Sequence, residues 1–196
     1  MKKKEIVIRE MILSTANRQR ITQLELSRRI GVSLSTVNNA ISPLARFGAV
    51  EVRRTGLTLL DLHKAIVYLA SVRNLSSDIV FSTRVDARVS EIEKAMPAGI
   101  LYTAFTGYKF LYDEVPADYS EVYVYADEKL LEEIAERFPR RKGPPNLFVL
   151  KADESLLRLS KNSIVPPVQL FIDLWNLKEW YAKEFVNALS KRLKLE

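Results

Sequence analysis

Hydrophobic residues in the first part of the chain recur at the spacing of amphipathic helices, with one interruption. This spacing predicts helices over 4–17, 22–30 and 61–75, and a further helix that begins after Ser33. Before the last helix, two apolar runs flank a glycine and predict a hairpin of strands 49–53 and 57–60. We therefore expect a small helical domain with one hairpin over residues 1–75.

The stretch from Thr22 to Ile41 predicts a helix-turn-helix. Thr22 and Glu25 have the spacing of a capping box, in which each side chain accepts a hydrogen bond from the other residue's backbone. Gly31 can adopt the left-handed conformation that a tight turn between helices needs. Ser33 can then cap the second helix through its hydroxyl group.

The second helix of this pair has an apolar and a polar face. The apolar face comprises Leu34, Val37, Ala40, Ile41, Leu44 and Phe47, and the polar face comprises Ser35, Asn38, Asn39, Ser42 and Arg46. Such polar side chains can hydrogen-bond base edges in a major groove, whereas the alternative is a face that meets only water. Pro43 lacks an amide hydrogen, which predicts that the helix kinks or ends near Ser42.

The hairpin would be the wing of a winged helix-turn-helix domain. Arg53, Arg54, Thr55 and Gly56 form its tip, where the arginines could contact phosphates or a minor groove. The alternative is a solvated turn without a partner. The predicted DNA-contacting residues are Arg28, Ser33, Ser35, Thr36, Asn38, Asn39, Ser42, Arg46, Arg53, Arg54 and Thr55.

Charge is distributed unevenly along the chain, whose net charge is +6. Residues 1–75 contain 13 Lys and Arg against 5 Asp and Glu, hence +8, and residues 76–196 contain 17 against 19, hence −2. This asymmetry is typical of a protein in which a single domain meets nucleic acid. Lys2, Lys3 and Lys4 could contact phosphates or be merely solvated.

The remainder of the chain predicts a second domain over 79–196, after a polar break at 74–78. Its expected elements are strands 79–85, 121–126 and 146–152 and helices 86–96, 101–112, 128–138, 168–174 and 178–195. The fold class is α+β: an N-terminal winged helix-turn-helix domain over 1–75, then a small α/β domain with a short sheet and C-terminal helices. Asp173 within an apolar helix needs partners, either in the structure or in a site. A basic loop at 140–145 could touch nucleic acid or an acidic partner, or be only exposed.

Composition narrows the chemistry further. The chain has no cysteine and one histidine, His63, so it has no disulfides and a metal cluster is implausible. We expect a cytoplasmic protein without a signal peptide or membrane span. Magnesium-dependent nucleotidyl transfer needs a Gly-Ser phosphate turn and carboxylates two residues apart, but Asp86 stands alone and Asp113 and Glu114 are adjacent. We therefore expect no catalytic residues, no metal and no cofactor.

Three segments resemble a known family. After the winged helix-turn-helix pattern come YTAFTGYKFL with VYVYAD, and then VPPVQLFIDL, which together resemble the AbiEi-like antitoxins of type IV toxin-antitoxin systems and their archaeal relatives. The most specific positions are Thr106, Gly107, Tyr108, Pro167, Gln169, Leu170 and Asp173. The resemblance implies a DNA-binding autorepressor with a toxin partner and a non-catalytic C-terminal domain whose fold is related to nucleotidyltransferases. The helix over 61–75 is an addition to the short N-terminal domain common in that family.

The sequence thus leaves three functions open. The favoured one is a sequence-specific regulator of transcription that binds double-stranded DNA as a homodimer. The second is an antitoxin or structural interaction protein that acts mainly through the C-terminal domain, where Trp180 and Phe185 could be interface anchors or core residues. The third, and weakest, is a nucleotidyltransferase-like enzyme.

Overall fold

The chain divides into two units in the computed structural model, which describes residues 1–16 and 20–195. Unit 1 contains Met1–Arg73 with Lys194 and Leu195, and unit 2 contains Asn74–Leu193. Helices and short strands are combined in the chain, with the mixed sheet in the C-terminal part, so the α+β class is confirmed. No helix among the described residues is long and apolar enough to cross a membrane.

Unit 1 is built around its first helix. Its elements are α1 Lys3–Ala16, α2 Gln23–Ile30, α3 Leu34–Arg46, β1 Val50–Arg53, β2 Gly56–Leu59 and α4 Leu62–Val72. Helix α1 contacts α2, α3, α4 and β2. The side chains of Met11, Leu26, Ile41 and Leu69 are fully buried and belong to the core. The apolar faces predicted from the sequence therefore pack against one helix, α1. Asn17, the predicted end of α1, lies outside the described residues.

Of the two outcomes predicted from Pro43, a kink or an end near Ser42, the second is wrong. Helix α3 continues to Arg46, because Pro43 removes only the hydrogen bond that its own nitrogen would donate, while its carbonyl accepts from the Phe47 nitrogen at 3.3 Å. The helix ends where Gly48 adopts a φ of 74°. Arg46 therefore stays on the helix.

Two further expectations for unit 1 were wrong in detail. Leu34 and Phe47, assigned to the apolar face of α3, are exposed because they lie at its two ends. Helix α4 stops at Val72 instead of Leu75 because Arg73 is extended (φ −74°, ψ 143°), and Leu75–Asp78 form a short 3-10 helix. The buried side chain of Arg73 pairs with Glu5 at 3.6 Å, which fixes this end of the unit.

Unit 2 is a mixed four-stranded sheet with helices. Its elements are β3 Ile79–Thr83, α5 Val89–Ala95, β4 Leu101–Thr103, α6 Ala104–Tyr112, β5 Val122–Ala126, α7 Glu128–Arg137, β6 Leu147–Lys151, α8 Glu154–Leu159, α9 Pro167–Trp175 and α10 Ala182–Leu193. The strand order is β3-β6-β5-β4, with β5 and β6 parallel and the other pairs antiparallel. One hydrophobic core lies between this sheet and helices α5 and α7, and it includes Ile92, Val124, Ile134 and Val149.

The predicted single helix over 101–112 is instead a strand followed by a helix. Strand β4 pairs with β5, and the backbone of Tyr102 also bonds Ser163 and Val165. Ala104 then takes a φ of 52° and turns the chain into α6. Gly107 allows close packing there, since an added Cβ would lie 3.0 Å from the Leu170 side chain. A strand of three residues cannot be told from a helical turn by periodicity.

The C-terminal segment also differs from expectation. Helix α8 was not predicted, and α10 begins at Ala182 instead of Lys178. Trp180 consequently precedes the helix and is 81% exposed, whereas Phe185 is fully buried. The two aromatic residues proposed together as anchors or core therefore have opposite environments.

Asp173 lies at the centre of a buried hydrogen-bond network in unit 2. Its carboxylate accepts from the Thr103 hydroxyl at 2.8 Å, the Tyr125 hydroxyl at 2.9 Å and the Gln169 amide at 2.8 Å. These partners come from β4, β5 and α9 itself, so a single carboxylate joins the helix to two strands. A buried carboxylate with several donors is satisfied as a structural element.

Candidate nucleic-acid interface

The turn between α2 and α3 is fixed by hydrogen bonds at both helix ends. Thr22 Oγ1 accepts from the Glu25 nitrogen at 3.1 Å, and Glu25 Oε2 accepts from the Thr22 nitrogen at 2.6 Å. The backbone hydrogen bond from Thr22 lowers the pKa of Glu25, because it stabilises the ionised carboxylate. Gly31 has φ 70° and ψ 41°, and Ser27 bonds Val32 through both its carbonyl and its hydroxyl. The capping box and the left-handed glycine are confirmed.

The first predicted DNA contacts on α3 are bonded to each other. Ser33 Oγ accepts from the Thr36 nitrogen at 3.1 Å and lies 2.9 Å from Thr36 Oγ1. Ser33 therefore caps the helix as expected, and Thr36 is half-buried. This local pair leaves the next turn of the helix as the more accessible polar surface.

That surface consists of exposed polar residues on the side of α3 opposite the core. Val37, Ala40, Ile41 and Leu44 are buried, whereas Ser35, Asn38, Asn39, Ser42 and Arg46 are exposed. Among the described residues, no hydrogen-bond partner is present for the side-chain amide of Asn38 or Asn39. Two neighbouring amides with free donors and acceptors suit the edges of bases, and adenine in particular.

Arg28 is exposed in the last turn of α2. The side chain of its neighbour Arg29 instead contacts α1. The Arg29 guanidinium donates to Glu10 at 3.3 Å and to Ser14 at 3.1 Å. It therefore joins α2 to α1. Spacing along the chain cannot predict these contacts, because Arg29 lies on α2 and its partners Glu10 and Ser14 lie on α1.

The wing is a two-stranded hairpin with Arg54 and Thr55 at its tip. The predicted hairpin is confirmed, with Val50 paired to Leu59 at one end and Arg53 to Gly56 at the other. Gly56, which was predicted to lie in the turn, belongs to β2. Arg54 and Thr55 are exposed, and the Arg53 Nε lies 2.8 Å from a carboxylate oxygen of Glu51. Glu51 competes with any phosphate for Arg53, so Arg54 is the more available cation.

Ile21 attaches the wing to the start of the helix-turn-helix. The Leu57 nitrogen donates to the Ile21 carbonyl at 2.8 Å, which forms an isolated bridge between the two residues. Gly56 has a φ of 143°, and a Cβ at this position would lie 3.2 Å from the same carbonyl. The role of Ile21 could not be predicted from the sequence, because one isolated bridge residue leaves no alternating pattern.

A family model described as winged helix-turn-helix DNA-binding matches residues 8–51. The N-terminal unit is a winged helix-turn-helix DNA-binding domain. The matched residues include α2, α3 and the start of β1, where the helix-turn-helix geometry was found. Comparisons with curated proteins and with solved structures gave no match.

Unit 2 has a different chemical character from the winged helix-turn-helix domain. Asp86 accepts hydrogen bonds from Arg84 at 3.1 Å and from Arg141 at 3.3 Å. Both bonds lower the pKa of Asp86, and the bond from Arg84 has the larger effect. Glu93 is buried and accepts from Thr106, Lys109 and Tyr119. Among the described residues, no group of three or more His, Cys, Asp or Glu side chains could hold a metal ion. Asp86 therefore pairs with two arginines, and Glu93 pairs with one lysine and two hydroxyl groups.

Proposed function

We propose that the chain is a sequence-specific regulator of transcription that binds double-stranded DNA. The observation that carries the proposal is the pair Asn38 and Asn39, which are exposed on α3 and whose side chains have no hydrogen-bond partner in the part of the chain that the structure describes. In this arrangement α3 enters a major groove and the wing contacts the adjacent backbone. The surplus of basic residues in 1–75 supplies the sequence-independent attraction.

The test is recovery of genomic fragments bound to the full-length protein, followed by sequencing. We expect a small set of fragments that share a motif. The Asn38→Ala, Asn39→Ala double variant should recover fragments without that motif, because phosphate contacts persist. Asn187→Ala is a matched control, since Asn187 is an exposed asparagine on α10. Recovery of no fragments by the wild-type protein at low salt would refute the proposal.

A second role, recognition of protein through unit 2, is favoured by its exposed aromatic residues. Trp180 is 81% exposed and Trp175 is 45% exposed. Tryptophan is enriched at protein interfaces and is rarely left in solvent. We propose that unit 2 mediates a homodimer, so that two winged helix-turn-helix domains read two half-sites of one operator.

An antitoxin role would add a toxin as the partner of unit 2, with the regulator repressing its own gene. The three sequence segments that resemble AbiEi-like antitoxins motivate this role. If a gene for a nucleotidyltransferase-like toxin lies beside this gene, co-expression of this protein with that toxin should restore the growth of the cells that the toxin inhibits. Turnover of nucleotides with magnesium by the purified protein would instead support the enzyme alternative.

A further inference from the structure

A cavity of about 440 Å³ lies within unit 1, beside the DNA-reading helix. The start of α1, one side of α3 and the end of α4 form its walls. Its volume falls in the range of about 300–1,000 Å³ that is usual for small-molecule sites. The proposed contacts to DNA do not require such a cavity.

The walls of the cavity are mainly apolar. They include the side chains of Ile8, Ala40, Pro43, Tyr68 and Val72. Ile8 and Ala40 are buried in the domain, whereas Val72 is 45% exposed despite its aliphatic side chain. This lining suits an aliphatic chain or an aromatic ring.

The charged groups at the cavity are predominantly positive. Lys2, Lys3 and Lys4 line it and are exposed. The carboxylate among the lining residues is Glu5, which accepts from the Lys2 backbone nitrogen at 3.0 Å and pairs with Arg73 at 3.6 Å. Because Glu5 is already compensated, the three ammonium groups favour an anion at the mouth of the cavity.

We propose that this cavity binds a small amphipathic carboxylate and that binding weakens the attachment of the protein to DNA. The apolar body would lie against Tyr68 and Val72, and the carboxylate would meet the lysines. Thr36 and Asn39 line the same cavity, so the ligand contacts the helix that reads the operator. It also neutralises basic residues close to that helix.

Ligand binding and its effect on DNA are separate parts of this proposal. The first stands on the cavity alone, whereas the second rests on the proposed regulator function. If both are correct, linkage requires that DNA lowers the affinity for the ligand by the same factor. Coupling between two sites commonly changes affinity by about 5- to 150-fold.

Binding is tested with the fluorescent amphipathic anion 1-anilinonaphthalene-8-sulfonate and the full-length protein. Octanoate should displace the dye, because it combines an aliphatic chain with a carboxylate. Octylammonium, which has the same chain and the opposite charge, should not displace it. Equal displacement by both compounds, or by neither, would overturn the proposal.

Two variants locate the site. Val72→Glu places a like charge in the cavity wall and should abolish displacement by octanoate, while Val80→Glu, at an exposed valine of β3, should not. Replacement of Lys2, Lys3 and Lys4 by Gln should also weaken octanoate binding. The charge-matched control replaces the exposed Lys178, Lys183 and Lys191 by Gln. Unchanged octanoate binding in both cavity variants would overturn the proposal.

Coupling is tested on a genomic fragment that the wild-type protein retains. Saturating octanoate should lower the affinity for this fragment about five-fold or more in the wild type, and not in Val72→Glu. Displacement of the dye without an effect on DNA would overturn the coupling. If the triple Gln variant loses DNA affinity and the wild-type protein binds no octanoate, the lysines contact phosphates, and the cavity site is overturned. A protein that retains no fragment refutes the regulator function, while the dye measurements still decide whether the cavity binds carboxylates.

Discussion

The Arg53 guanidinium lies 2.8 Å from the carboxylate of Glu51 on the same strand of the wing. Both side chains are exposed to solvent, so this ion pair contributes little to stability. The ion pair does, however, make Arg53 less available to a phosphate than Arg54 is. A phosphate must displace Glu51 to reach Arg53, whereas Arg54 has no such competitor among the ion pairs of the described residues.

The wing therefore predicts a difference between two single variants. Arg54→Ala should weaken binding to all sequences alike and reduce the slope of log affinity against log salt by about one. Arg53→Ala should reduce the slope by less, because a carboxylate already neutralises this residue. Affinity measured over a range of salt concentrations distinguishes the two. An unchanged slope in both variants would remove the wing from the interface.

The amides on α3 should determine sequence preference. Asn38→Ala or Asn39→Ala should cost about 1–3 kcal/mol on the recovered operator if each amide bonds a base edge. Binding to random DNA should change little, since it depends on phosphate contacts. Fluorescence anisotropy with operator and random duplexes measures both, with Asn187→Ala as the control. Equal losses on the two duplexes would assign the asparagines to folding or phosphate contact.

The capping box predicts an acid-dependent contribution to stability. The pKa of Glu25 is lowered in the folded protein, mainly by the backbone of Thr22. Its stabilisation is therefore complete above the unfolded pKa of about 4.3 and is lost as the pH falls through the lower folded pKa. Glu25→Gln should lose less stability than the wild type over this acid range. Urea unfolding at several pH values measures the difference, and parallel curves would contradict it.

The network around Asp173 should be important for the stability of unit 2. Asp173→Ala leaves the hydroxyls of Thr103 and Tyr125 and the amide of Gln169 without their acceptor, at a cost of about 3 kcal/mol or more. Asp118→Ala, at an exposed aspartate, should change stability by less than about 0.5 kcal/mol. Urea unfolding followed by circular dichroism measures both variants. A neutral effect of Asp173→Ala would show that the network adds no net stability.

Replacement of Trp180 should affect association of the protein and not its stability, unlike replacement of Asp173. Because its side chain is 81% exposed, Trp180→Ala should leave the free energy of unfolding of a monomer nearly unchanged. If the residue is a dimer anchor, the same variant should shift the protein from dimer to monomer in sedimentation velocity. Leu157→Ala, at a partly exposed leucine of α8, is the control. A wild-type protein that is monomeric at all concentrations would refute the dimer.

The sequence predicted unit 1 better than unit 2 for physical reasons. Capping boxes, a left-handed glycine and a hairpin turn are local, so Thr22, Glu25 and Gly31 could be assigned from spacing alone. Strand β4 has three residues, and its pairing with β5 is a tertiary property that no local pattern records. The candidate nucleic-acid interface shows the same contrast between local and tertiary features. The polar face of α3 is a local pattern and could be predicted from the sequence. The Glu51 partner of Arg53 and the Ile21 bridge depend on the folded hairpin.

The bond from the Leu57 nitrogen to the Ile21 carbonyl bears on which operators the protein can use. It ties the base of the wing to the residue before the cap of α2, and the turn at Gly31 fixes α3 to α2 in the same way. Backbone hydrogen bonds within the domain thus determine where α3 lies relative to the wing tip. If Asn38 contacts bases and Arg54 contacts a phosphate, as proposed, the fold of unit 1 sets the distance between these two contacts. DNA whose groove width does not match this distance would then have to deform in order to make both contacts.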